Sequence, residues 1–264
     1  MTGVQTCALP ISHKLDPYRP LDRIAEGKPL PAGTKPLVVE VVALDWKWLF
    51  IYPEQGIATL NELAAPVDRP VEFRITASTV MNSFYVPALA GQIYAMPAMQ
   101  TTLHAVINAP GVYDGFSANF SGDGFSHMRF KFHGMAGGDF DSWVAKAGKA
   151  EAKLDGGLYQ QLEKPSEREA VRYYGSVDAG LFKRIVNRCV DPAQMCMDRM
   201  MAIDANGGHA AHAKAQASGA SHGAGTHGDK TAADAHTLKA VPAMPHGDHA
   251  PEAPRAASAA AAHR

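Results

Sequence analysis

A chain of 264 residues, 46% hydrophobic and 19% charged, is long enough to bury a substantial core and has the apolar content of a globular protein. Its formal net charge of −1, with no Lys/Arg stripe interleaved with aromatics, argues against nucleic acid and against an anionic membrane surface as partner. Three cysteines, Cys7, Cys189 and Cys196, are too few for a disulfide framework and lack the spacing of a structural zinc site.

The opening stretch MTGVQTCALPIS matches nothing that follows in style, and residues 1–12 read as a foreign or artefactual leader. No run of about 18 apolar residues offers a spanning helix. From Leu37 the composition changes to short β-rich runs separated by Pro, Gly and Asn, the spacing of an all-β sandwich or barrel. LVVEVVAL, WKWLFIY, VEFRITA, TTLHAVI and GVYDGFSAN are the expected strands, punctuated by YPEQG, APVDRP and NAPG, and the β-unit is expected to end near His133. In WKWLFIY, strand alternation puts Trp46, Trp48, Phe50 and Tyr52 on one face and Lys47, Leu49 and Ile51 on the other. Four aromatics on one face form either a core wall under the sheet or a docking surface for a larger partner.

DFDSWVAKAGKA reads as a helix with Asp139 or Asp141 as N-cap and a stripe of Trp143, Val144 and Ala147. A second helix, VDAGLFKRIVNRCV, places Leu181, Phe182, Ile185, Val186 and Cys189 on one side. Cys189 and Cys196 either bridge, closing a short loop in an oxidising compartment, or remain two free thiols. Met195, Met197, Met200 and Met201 precede spaced histidines at His209, His212, His222, His227, His236, His246 and His249, a composition able to bind Cu(I) or Cu(II) weakly. The same stretch beyond about Asn206 holds almost nothing able to build a core and equally reads as a solvated, disordered tail.

The block STVMNSFYVPALAGQIYAMPAMQTTLHAVINAPGVYDGFSANFSGDGFSHM resembles the cupredoxin domain of subunit II of the haem-copper oxidases. That family's pattern is His-Ser-Trp-x-x-Pro, Pro-Gly, then Cys-x-Glu-x-Cys-x-x-x-His-x-x-Met, and in its cytochrome c oxidases these residues hold a dinuclear copper centre. By this resemblance the first histidine falls on Asn82, the two cysteines on Ser117 and Ser121, the glutamate on Asn119 and the second histidine on Phe125; only the methionine is kept, as Met128. A dinuclear site needs bridging thiolates, and serine hydroxyls cannot replace them, so no copper is expected here. His127 would sit opposite Met128 on a strand, and His104 reads as a structural histidine. Phe125 and the polar replacements are expected to fill the old pocket, because a polar void is costly.

Ligand loss on a kept scaffold is closely similar to one branch, subunit II of the bo-type ubiquinol oxidases. The runs that carry this likeness are DWKWLFIYPEQGIATLNELAAP, VMNSFYVPALAGQIYAMPAMQTTLH, GVYDGFSANFSGDGFSHMRFK and FDSWVAKA. The resemblance implies a mainly β, cupredoxin-like Greek-key barrel or sandwich over 37–134, preceded by a membrane-exit linker over 13–36. A helical C-terminal appendage over 135–200 and a disordered Ala/His-rich tail over 201–264 would follow, and the family's N-terminal transmembrane hairpin is missing from this sequence. It implies a non-catalytic, periplasm-facing subunit in a bacterial inner membrane, part of a proton-pumping oxidase that uses ubiquinol to reduce oxygen to water. Haems and copper would lie in the large membrane subunit I, with no cofactor and no catalytic residue in this chain. The alternative from another class is a periplasmic copper-handling protein that uses the Met/His tail.

Overall fold

Residues 18–205 except Glu26 are described by the computed structural model. The expected leader, Cys7 and the histidines from His209 onward lie outside the described residues.

Fifteen strands and four helices follow in order among the described residues. They are β1 (Arg23–Ala25), β2 (Lys28–Pro29), β3 (Leu37–Leu44), β4 (Lys47–Tyr52), β5 (Ile57–Leu60), β6 (Glu62–Pro66), β7 (Val71–Ala77) and β8 (Asn82–Tyr85). Next come β9 (Ile93–Ala95), β10 (Thr101–Ala105), β11 (Gly111–Ser117), β12 (Arg129–Met135), α1 (Gly137–Gly148), β13 (Lys153–Leu154) and α2 (Gly156–Glu163). The last are β14 (Arg172–Tyr174), β15 (Ser176–Val177), α3 (Leu181–Val186) and α4 (Met197–Ala205). One sheet runs β10-β7-β3-β4-β5-β14 and the other β6-β12-β11-β8-β9. Each contains one parallel pairing, β3 with β7 and β6 with β12.

The two sheets close over an aromatic core in which Trp48, Phe50, Phe73, Phe84, Phe130 and Phe132 are buried. Phe84 and Phe130 stack at 5.5 Å, and Trp48 meets Phe84 edge-on at 5.5 Å, an arrangement that suits the ring quadrupoles. A second core lies on the outer face of the six-stranded sheet, where Val42, Leu44, Leu49 and Ile51 meet Tyr159 and Leu162 of α2 and Leu181, Phe182 and Ile185 of α3. β4 is therefore buried on both faces. This corrects the docking-surface reading: Trp48, Phe50 and Tyr52 are fully buried, and Trp46 is half-buried against the same core, so these four rings form an interior wall.

Lys47 on the opposite face is buried too. Its ammonium donates to the carbonyls of Asp45 (2.9 Å) and Lys164 (2.8 Å) and to Ser166 Oγ (2.6 Å), tying β4 to the segment before β14. Burial pulls its pKa below the ordinary lysine value.

The segment after β12 is more than a helical appendage. Its β14 pairs antiparallel with β5, Tyr173 opposite Thr59, and so extends the six-stranded sheet. Its boundary at 134 divides no compact units, since the described residues fall in one. Helix α1 starts at Gly137 behind Ala136, which gives no side-chain cap; Asp139 lies in the first turn, where its charge suits the helix dipole, and Asp141 lies further in. Of its expected stripe, Ala147 is buried and Trp143 and Val144 pack against the main core. The second expected helix is cut to Leu181–Val186 because Gly180, at φ 71°, caps it in the left-handed region that suits glycine. The strands expected in TTLHAVI and GVYDGFSAN stop at Ala105 and Ser117. Within the expected linker, β1 and β2 form a hairpin whose Ile24 is buried and whose carbonyl accepts from Asn108 Nδ2 at 3.2 Å. No helix among the described residues is long and apolar enough to cross a membrane.

Candidate functional site

Strands β8 and β11 pair with Ser117 opposite Phe84, which brings the end of β11 beside the start of β8. Asn82 and Ser117 are both buried there. The Ser117 hydroxyl donates to Asn82 Oδ1 at 3.0 Å, and Oγ accepts from the Ser83 backbone N–H at 3.4 Å. Asn82 Nδ2 donates to the Val80 carbonyl at 3.2 Å, so both halves of the amide are engaged. Asn119 turns its amide onto the Met81 and Phe120 carbonyls at 3.3 and 3.1 Å, holding the loop after β11 against the loop before β8.

The loop from Ser121 to Gly124 rests on Trp46. The indole Nε1 donates to the Ser121 carbonyl at 2.8 Å. A Cβ added to Gly124 would lie 2.5 Å from Trp46 Cδ2, so only glycine lets the chain approach the ring this closely. Ser121 Oγ is buried without a hydrogen-bond partner. Phe125 was expected to fill the old pocket; instead it is half-buried at the start of a 3₁₀ turn over Phe125–His127, 5.7 Å from the ring of Phe120, which is 75% exposed. Met128 is fully buried in the main core, and its carbonyl accepts from the Ser117 N–H at 3.2 Å.

His127 lies on the 3₁₀ turn, where a strand was expected, and its Nε2 is 2.9 Å from the Arg168 guanidinium. His104 lies on β10 opposite Glu72. The six matched positions are thus brought to one end of the sandwich, and they supply two hydroxyls, two amides, a phenyl ring and a thioether. No group of three or more His, Cys, Asp or Glu among the described residues is arranged to hold a metal ion.

Two features escaped the sequence reading. Glu62 accepts from Trp143 Nε1 at 2.9 Å and from the Tyr173 hydroxyl at 2.6 Å, joining β6, α1 and β14 through one carboxylate. Burial, followed by that hydrogen bond and the charge of Glu62, pushes the Tyr173 phenol up to about 12. A cleft of about 470 Å³ lies between the outer face of the six-stranded sheet and α3, with Glu40, Arg74, Leu181 and Phe182 in its lining. Burial there raises the Glu40 carboxyl to about 6, while Arg74 opposes the rise. No periodicity flags either feature, because each is assembled from distant strands. Cys189 and Cys196 form a disulfide, with Cα atoms 4.8 Å apart.

Residues 50–134 match the family model of the cytochrome c oxidase subunit II periplasmic domain, and residues 149–193 match the COX aromatic-rich motif. The chain is 52% identical over 177 residues to cytochrome bo(3) ubiquinol oxidase subunit 2 of Pseudomonas aeruginosa, a match covering 67% of this chain and 51% of that one. It is 53% identical over 182 residues to ubiquinol oxidase subunit 2 of Acetobacter aceti, covering 69% and 55%. Over its matched residues the chain is similar to subunit II of the bo-type ubiquinol oxidases. It spans about half the length of the curated relatives it matches. A crystal structure of the periplasmic domain of subunit II of cytochrome oxidase from Bradyrhizobium japonicum is similar at 21% identity, with a TM-score of 0.41, covering 42% of this chain and 91% of that one. The part of the β-sandwich from Phe50 to Gly134 is what matches the periplasmic domain. The aromatic-rich motif falls on the segment whose Tyr159, Tyr174 and Phe182 build the second core.

Proposed function

We propose that this chain is the non-catalytic, periplasm-facing subunit II of a proton-pumping ubiquinol oxidase, and that its dinuclear copper site has been lost. The observation that carries the reading is the Ser117–Asn82 hydrogen bond at 3.0 Å, where the family's cytochrome c oxidases place a bridging cysteine and a histidine. A copper pair needs soft, anionic bridging donors; a neutral hydroxyl engaged with a neutral amide offers only hard oxygen, and the one soft atom, in Met128, has no thiolate beside it. The donor set does not fit the metal centre, so no electron transfer step runs through this end of the sandwich.

That loss is intelligible from the electron donor. Ubiquinol is dissolved in the membrane and hands its electrons to a site within the membrane, so a copper relay facing the water has nothing to receive. The haems and the remaining copper belong to the large subunit I of the inner membrane complex, which reduces oxygen to water. This chain contributes a β-sandwich cap over 37–134, braced by the segment over 135–200, and no catalytic residue.

The test is genetic and spectroscopic. Deleting the gene is expected to abolish ubiquinol-driven oxygen consumption in membranes. The full chain, when returned, is expected to restore it with Ser121 either native or changed to Ala. The purified protein given Cu(II) is expected to develop no intense purple thiolate-copper absorption. Undiminished quinol oxidation in the deletion strain, or a purple band, would overturn the reading.

A further inference from the structure

Four of the chain's eleven methionines fall within seven residues, in Met195-Cys-Met-Asp-Arg-Met-Met201. None belongs to either core. Met195, Met200 and Met201 are 46%, 43% and 61% exposed, and α4, which carries the last three of the four, has no buried residue at all. A nine-residue helix is too short to be stable by its own hydrogen bonds. It is held at its start, where the Met197 N–H donates to the Asn187 carbonyl at 3.0 Å and the Cys189–Cys196 bridge closes next to it. The remainder of α4 serves no packing purpose within the described residues.

Helical spacing decides what that surface presents. Met197, Met200 and Met201 stand at i, i+3 and i+4, neighbours on one face with Cβ atoms about 5–6 Å apart. Asp204, at i+7 from Met197, lies on the same face, whereas Arg199 lies on the opposite one. Three neutral, polarizable thioethers with a carboxylate nearby and the cationic side chain turned away form a soft donor set for a monovalent cation. Thioether sulfur selects Cu(I) over the harder divalent ions. Leu or Ile would serve a merely apolar face better, since Met is the more flexible and less specifying residue.

We propose that α4 is a cuprous-ion site in which the sulfurs of Met197, Met200 and Met201 bind one Cu(I). The site is separate from the Ser117–Met128 end of the sandwich and stands whether or not the oxidase reading holds. Binding involves no redox step; the copper arrives already reduced.

The test uses the full chain in a Cys7→Ser background, with a free-thiol assay showing that the Cys189–Cys196 bridge stays closed and no thiolate competes. Cu(I), kept reduced with ascorbate, is titrated against bicinchoninate at pH 7 and at pH 5. At pH 5 the tail histidines are protonated, their ordinary pKa being about 6.5, while thioethers do not titrate. One Cu(I) per chain is expected at both pH values. Met197→Leu/Met200→Leu/Met201→Leu keeps the helix and its apolar character, and is expected to weaken binding at pH 5 at least tenfold with an unchanged urea midpoint. Equal affinity in the triple variant would overturn the site. So would loss of binding to the unaltered methionines at pH 5, which would assign the copper to histidine.

Discussion

At Ser117 a single atom type separates two chemistries. The hydroxyl donates to Asn82 Oδ1 and accepts from the Ser83 N–H, which makes a buried polar contact self-contained. Ser117→Ala removes the donor and leaves the Asn82 amide oxygen buried without one, a loss of about 1–3 kcal/mol for an unsatisfied buried polar group. Urea unfolding is expected to show a lower midpoint at an unchanged slope; an unmoved midpoint would mean that the pair carries no stability. The sequence pointed to these positions through a resemblance in spacing, and the structure brings Asn82 and Ser117 together. Their contacts were not legible in the sequence. The Ser117–Asn82 bond depends on how β8 and β11 register, 35 residues apart, and the Trp46–Ser121 bond joins residues 75 apart. Phe125 illustrates the limit: its aromatic character argued for a buried plug, but the 3₁₀ turn leaves it half-buried against the exposed Phe120.

Among the elements, β3 and β4 were legible from their largely apolar runs and β7 from its alternation of apolar with polar residues, each bounded by turn formers. Which face of β4 is inside was not, since both are. That follows from α2 and α3 covering the outer face of the sheet, and α2, GGLYQQLE, is too short to give a clear period. β14 escaped notice because three residues, RYY, acquire strand character only through pairing with β5, more than a hundred residues earlier. The Cys189–Cys196 bridge spans a sequence separation of seven and lies between α3 and α4 along the chain. Closing so short a loop is worth about 2 kcal/mol in the chain-entropy picture. Reduction is therefore expected to raise amide exchange across α4 and the segment before it, while β3 and β7 keep their protection. Exchange read by mass spectrometry checks this, and equal loss of protection in β3 would show that the bridge supports the sandwich itself.

In the molecule as a whole the six-stranded sheet is a wall shared by two cores, so neither can dissolve without exposing the other's lining. Phe50 points into the sandwich, where its ring lies 5.0 Å from that of Phe130, while its neighbour Leu49 points into the core made with α2 and α3. Lys47 and Glu62 reinforce the union with hydrogen bonds that run from the sandwich to the segment around β14 and α1. Phe50→Ala is expected to cost about 3–5 kcal/mol and Leu49→Ala about 2–5 kcal/mol, each by cavity formation in a close-packed interior. Because β4 carries both residues, the two substitutions are expected to lower one and the same unfolding transition. Near-UV circular dichroism follows the buried aromatics and far-UV circular dichroism follows the strands and helices. Coincident curves in both variants are the expected result. If Leu49→Ala instead split the transition, with the α2–α3 segment melting first and the sandwich signal intact, that segment would be an independent layer rather than a brace.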